Sequence, residues 1–188
     1  MAVLTFANQL TLLRMLLAPV FVLLVVYHHL GTALLVFAAA GLTDLFDGLI
    51  ARRSGQQSTL GMWLDPMADK LLAAATFGVL TMPWLGLANP IPVWLTVSII
   101  ARDVGIVATV AVVNLAVGPR TFRPSRLGKL ATATYLVTAV VAMVFNYRGY
   151  HSPAVNWCVW TSLVVTLLST VHYALAFTRL HGHDIPHQ

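Results

Sequence analysis

Residues 31–83 read GTALLVFAAAGLTDLFDGLIARRSGQQSTLGMWLDPMADKLLAAATFGVLTMP. Two apolar runs flank a polar stretch at residues 53–59, and Asp44, Asp47, Asp65 and Asp69 crowd toward that stretch from both sides. A bilayer core about 30 Å thick is crossed by about 20 helical residues, which is the scale of each run. Backbone inside hydrocarbon must satisfy its own hydrogen bonds, so each run is expected to be a helix. The short connection makes the two helices antiparallel neighbours.

The same pattern extends in both directions. The chain of 188 residues is 59% hydrophobic and 9% charged, with a mean hydropathy of +0.82; a soluble domain carries roughly a quarter charged residues. Reading the apolar runs in order places helices at about 8–28, 31–53, 62–83, 90–117, 125–146 and 153–180. The expectation is an all-α integral membrane protein, a single domain over residues 1–188 with six transmembrane helices. No internal repeat or low-complexity tract interrupts it.

Eleven Lys and Arg against six acidic residues give a net charge of +5. Arg52, Arg53 and Lys70 flank the second connection, Arg120, Arg123, Arg126 and Lys129 the fourth, and Arg179 closes the last helix. The first and third connections carry no cation, and the fifth carries Arg148 alone. Cations accumulate on the cytoplasmic side of a membrane. The even connections and both termini are therefore expected there, which six spans allow and five do not. Trp84, Trp94 and Trp157 fall near the opposite interface. The charge suits topology and anionic lipid; nucleic acid is not an expected partner. No basic stretch precedes the first helix and no small-residue site follows it, so a cleaved leader is not expected. The single cysteine, Cys158, excludes an internal disulfide and reads as a small apolar residue.

All six acidic residues are Asp. A carboxylate at the centre of a span costs roughly 2.5–3.5 kcal/mol on insertion scales, and four close together also repel one another. Something positive belongs among them. Asp44 and Asp47 are three apart and Asp65 and Asp69 four apart, so each pair shares a helix face. Hard oxygen donors without Cys or His suit Mg²⁺, Mn²⁺ or Ca²⁺ and argue against zinc. Two divalent ions would neutralise the four charges. Helix capping explains Asp65-Pro66, but not Asp44 and Asp47 inside an apolar helix. Gly48 and Ala51 leave room beside the aspartate face, Arg52 offers a fork for phosphate oxygens, and Gly61 relieves the turn before Asp65. Small residues in membrane helices also serve helix packing.

Taken as one string, Asp44-x2-Asp47-Gly48-x2-Ala51-Arg52-x8-Gly61-x3-Asp65-x3-Asp69 resembles the signature of the CDP-alcohol phosphatidyltransferases, with all eight fixed positions and every spacing matched. Asn8-x2-Thr11-x2-Arg14 looks like the first-helix entry of the bacterial phosphatidylglycerophosphate and cardiolipin synthases of this family. Residues 99–103 (IIARD) and Gly128-Lys129 look like their later landmarks. The resemblance implies six transmembrane helices around a polar cavity open to the cytoplasm, usually as a homodimer, in the bacterial inner membrane. It implies Mg²⁺ or Mn²⁺, two ions in number, on Asp44, Asp47, Asp65 and Asp69, with Asp69 also the general base. It further implies a CDP-lipid pocket lined by Asn8, Thr11, Arg14, Gly48, Ala51, Arg52 and Gly61. The implied reaction transfers the phosphatidyl group of CDP-diacylglycerol to an alcohol and releases CMP.

The acceptor is read from the remaining cations. Arg102 lies about mid-span, where an unpaired charge is costly, and is expected to line the cavity. Pairing with Asp103 is the alternative, although adjacent helical residues diverge. Arg120, Arg123, Arg126 and Lys129 suit a phosphate held by Arg forks and a lysine. That points to an anionic acceptor: phosphatidylglycerol giving cardiolipin, or glycerol 3-phosphate giving phosphatidylglycerophosphate, with inositol phosphate a third option. Residues 99–103 and the 122–125 approach to Gly128-Lys129 look somewhat more like the cardiolipin branch. Two remoter readings carry similar physics, an intramembrane prenyltransferase and a small cation transporter with a carboxylate site. The first lacks the Gly-x2-Ala-Arg element, and the second places its site near the midplane on broken helices. The tail residues His181, His183, Asp184 and His187 read as solvated, Lys70 as reaching for the interface, and His172 as a buried, hydrogen-bonded histidine.

Overall fold

The computed structural model describes the backbone of residues 6–54, 59–117 and 126–181, and within them the side chains of residues 9–43, 67–109, 115 and 126–173. Among the described residues six helices follow one another: α1 (Phe6–Val26), α2 (Leu30–Ser54), α3 (Thr59–Leu80), α4 (Val93–Val117), α5 (Arg126–Arg148) and α6 (Pro153–His181). A 3₁₀ turn, Pro83–Leu85, lies between α3 and α4, and no strand occurs among the described residues.

Prolines account for two of the three largest departures from the expected ends, the third being the start of α3 at Thr59, three residues early. Met82 precedes Pro83 and is extended (φ −69°, ψ 113°), because a residue before proline is pushed out of the α region. The helix expected to reach 83 therefore stops at Leu80. Gly86 closes the 3₁₀ turn in the left-handed region (φ 55°). The fourth helix, expected from 90, waits until Pro92 has passed and begins at Val93, with the Leu95 amide donating to the Pro92 carbonyl at 3.0 Å.

Three helices are long and apolar enough to cross a membrane among the described residues: Gln9–Val26, Arg126–Arg148 and Pro153–Tyr173. The Leu30–Thr43 part of α2 is apolar but shorter.

The chain forms two compact bodies, residues 1–91 with 142–151, and residues 92–141 with 152–188. In the first, α1 packs on both α2 and α3. Its buried positions, Thr11, Arg14, Ala18, Phe21 and Val25, recur at alternating spacings of three and four and form one face. Ala33, Phe37 and Ala40 do the same on α2, and Phe21 and Phe37 meet with ring centroids 5.7 Å apart. Leu12, Leu13, Leu16 and Leu23 face outward. Asn146 on α5 grips the 86–91 loop: its Oδ1 accepts from the Asn89 amide (2.6 Å) and its Nδ2 donates to the Asn89 carbonyl (3.1 Å).

In the second body α4 packs on α6. The buried face of α6 runs Val155, Val159, Ser162, Thr166 and Ser169, while Trp157, Trp160, Val164, Leu167 and Leu168 are exposed. The inside is more polar than the outside, as expected where lipid offers hydroxyls no partner. The Thr138 hydroxyl of α5 lies 2.8 Å from that of Ser162. Tyr135 and Thr166 are 2.7 Å apart. Thr166 gives its one proton to the Ser162 carbonyl, so Tyr135 is the donor between them.

Candidate active site

Asp44, Asp47, Gly48, Ala51 and Arg52 lie on the last turns of α2, and Gly61, Asp65 and Asp69 on the first turns of α3. Four residues separate the two helices, Ser54 ending one and Thr59 beginning the other. The helical backbone keeps Asp44 with Asp47, and Asp65 with Asp69, on one side of each helix. The side chains of Asp44, Asp47, Ala51, Arg52 and Asp65 lie outside the described residues. No group of three or more His, Cys, Asp or Glu meets among the described ones. The donor set itself fits a hard divalent cation: four carboxylates, without a thiolate or imidazole in either segment.

Asp69 is placed in full, and it has a partner that the sequence motifs do not announce. Arg14 on α1 donates from Nη1 to Asp69 Oδ1 at 2.5 Å. The two side chains differ sharply in surroundings, Arg14 being 1% exposed and Asp69 50%. A guanidinium inside an apolar helix is always charged and needs a counter-charge close by. Because α1 packs against α3, Asp69 can supply it across the interface. Thr11 lies one turn earlier on α1 and is fully buried. Asn8 is in the helix, with its side chain outside the described residues. Two motifs that the sequence keeps 55 residues apart thus meet in one ion pair. The signal was present in Arg14 itself, a lone cation in an apolar run that had to pair with something.

In the other body, Arg102 is buried on α4. Its Nη1 donates to Asp103 Oδ1 at 2.8 Å, its Nη2 donates to Ser169 Oγ at 3.1 Å, and its guanidinium carbon lies 5.9 Å from the centroid of the Tyr173 ring. Nε has no hydrogen-bond partner among the described residues. The pairing with Asp103 corrects the expectation from helical geometry. Adjacent Cβ atoms do diverge, but an arginine is long enough to fold back around its own helix. His172 is exposed, contrary to the buried histidine expected. The buried face of α6 is Ser162, Thr166 and Ser169, and His172 falls off that register.

Arg126 and Lys129 begin α5, three positions apart, and both are exposed. Arg120 and Arg123 lie outside the described residues. A cavity of about 700 Å³ lined by His28, His29, Thr32 and Tyr147 sits at the α1–α2 turn. That is the far end of α2 from Asp44 and Asp47, and none of the four aspartates lines it.

The sequence model of the CDP-alcohol phosphatidyltransferases matches residues 4–168. Human cardiolipin synthase (CMP-forming) is 39% identical over 173 residues, covering 82% of this chain and 56% of the human protein. The chain thus spans little more than half the length of that relative. A probable phosphatidylglycerophosphate synthase of Mycobacterium tuberculosis is 35% identical over 181 residues, covering 92% of this chain and 81% of its own. A putative cardiolipin synthase of Mycobacterium bovis is 32% identical over 189 residues, covering 95% and 85%.

Proposed function

Since the chain belongs to the CDP-alcohol phosphatidyltransferase family, we propose that it transfers the phosphatidyl group of CDP-diacylglycerol to an anionic, glycerol-type acceptor and releases CMP. The observation that carries this reading is the eight-position aspartate motif, complete in its spacing and set on the last turns of α2 and the first turns of α3. Relatives named for cardiolipin and for phosphatidylglycerophosphate synthesis support the acceptor class.

In this reading one domain spans the chain, and its six helices all cross the inner membrane of a bacterium. The termini and the cavity face the cytoplasm, and two copies form a homodimer. The family is generally dependent on a divalent metal. Asp44, Asp47, Asp65 and Asp69 would hold Mg²⁺ or Mn²⁺, two ions balancing four carboxylates. A cation bound there supplies charge neutralisation for the diphosphate and eases departure of CMP. Asn8, with Gly48, Ala51, Arg52 and Gly61, accommodates the CDP group, and we assign Thr11, which is fully buried, to the packing of α1. Arg120, Arg123, Arg126 and Lys129 attract the acceptor phosphate. Arg102, expected among them, has two nitrogens engaged and its guanidinium over the Tyr173 ring, and we assign it to holding α4 on α6. Asp69 takes the proton of the acceptor hydroxyl. The acceptor oxygen then bonds to the lipid-side phosphorus as the diphosphate bridge breaks, and CMP carries away the bridging oxygen.

Purified protein with CDP-diacylglycerol and Mg²⁺ or Mn²⁺ should release CMP only when an acceptor is added. Phosphatidylglycerol, glycerol 3-phosphate and inositol phosphate, offered in parallel, separate the acceptors. Phosphatidylglycerol is expected to give the fastest release. No CMP with any of the three would overturn the assignment.

A further inference from the structure

Arg14 belongs by motif to the CDP-lipid pocket, yet its guanidinium is in the wrong place for that. At 1% exposure it is sealed between α1 and α3. A ligand that must enter and leave cannot reach a sealed guanidinium unless the helices part. What does remain open is the other half of the pair, since Asp69 keeps 50% of its side chain exposed. A pair serving only to bury two charges has no need to leave one carboxylate half-open. The asymmetry fits a different purpose. A guanidinium donates in a fixed plane, so a carboxylate bonded to it is oriented as well as neutralised. Arg14 is itself fixed by burial and by a helix that packs on both neighbours. Ala68, the residue before Asp69, is fully buried and anchors that turn of α3.

We propose that Arg14 is a positioning residue for the reaction: it holds Asp69 by Oδ1 from the protein side and so presents the exposed part of the carboxylate to the acceptor hydroxyl. This rests on the reading of Asp69 as general base. It takes Arg14 out of the CDP-lipid pocket and makes the first helix part of the proton-transfer apparatus.

The test uses full-length protein with Arg14→Gln, Arg14→Lys, Asp69→Asn and the Arg14→Gln/Asp69→Asn pair, measuring CMP release and equilibrium binding of CDP-diacylglycerol separately. Misplacing a catalytic group by an ångström costs up to about 100-fold. Arg14→Gln should therefore lower kcat by about 10- to 100-fold while the Kd for CDP-diacylglycerol stays within about threefold. Arg14→Lys, which keeps the charge but loses the fork, should recover part of kcat. In the double variant the loss should be no greater than that of Asp69→Asn alone, because Arg14 acts through Asp69. A raised Kd with kcat unchanged, or losses that multiply, would overturn the proposal and return Arg14 to the lipid pocket. If Arg14→Gln does not fold, Arg14→Lys decides the matter: wild-type kcat in that variant sinks the positioning role. Near-normal turnover in Asp69→Asn would sink the base reading itself, whatever the Arg14 variants do. Full loss in Asp69→Asn beside full-speed Arg14 variants sinks the positioning role alone.

Discussion

Among the described residues, two arginines are buried in apolar helices, and the two bodies deal with them differently. Arg14 reaches across a helix interface to Asp69, whose side chain is 50% exposed. Arg102 folds back on its own helix to Asp103, whose side chain is 16% exposed, and is closed off by Ser169 and Tyr173. The insertion problem is the same: a permanent charge where lipid offers no solvation. The first solution leaves a carboxylate facing outward, and the second hides nearly everything. An open ion pair is a place where chemistry can occur. A closed one is a fastening.

If that distinction holds, the same substitution should do opposite things in the two bodies. Asp69→Asn should cut turnover by about 10²- to 10⁴-fold, the range for loss of a general base, while CDP-diacylglycerol still binds. Asp103→Asn should leave turnover within severalfold of wild type. It strips a buried guanidinium of its counter-charge, and breaking such a pair costs on the order of 3 kcal/mol, which thermal unfolding in detergent would register. Turnover lost equally in both variants, with stability unchanged in both, would erase the contrast.

A finer test concerns Arg102 alone. Arg102→Met removes the cation but keeps much of the apolar stem. The apparent unfolding temperature should drop, again by on the order of 3 kcal/mol in stability, with the KM for the acceptor unchanged within about twofold. An acceptor KM raised tenfold at unchanged stability would put Arg102 back in the acceptor site.

Much of this architecture was legible beforehand. Apolar run length gave six helices, and prolines such as Pro83 and Pro92 mark ends that the raw runs overshoot. What the sequence hid is which side of each helix faces inward. From Trp160 to Ser169, α6 turns Trp160, Val164, Leu167 and Leu168 outward and Ser162, Thr166 and Ser169 inward, so hydrophobic periodicity there carries no inward signal. The misplacement of His172 comes from that silence. The Arg14–Asp69 pair was hidden for a different reason, since it joins positions 55 residues apart that belong to separate motifs. The metal-holding role expected of Asp44, Asp47 and Asp65 rests on type and spacing alone, a carboxylate in hydrocarbon being too costly to leave uncompensated; their side chains lie outside the described residues.

The smallest expected effect tests how the closed fastening is built. Ser169→Ala removes the acceptor of Arg102 Nη2. Tyr135→Phe removes the donor to Thr166, whose own proton goes to the Ser162 carbonyl. Hydrogen bonds between membrane helices average about 0.6 kcal/mol and reach about 1.7. Ser169→Ala should fall at the upper end, because a charged donor loses its partner in a place without water. Tyr135→Phe should sit nearer the average, since Thr166 keeps its carbonyl bond. Both belong to the body without the aspartate motif, so CMP release at saturating substrate should be unaffected in either. Measured stabilities in the reverse order would mean that Arg102 is held by Asp103 and the Tyr173 ring alone, and that Ser169 only borders it.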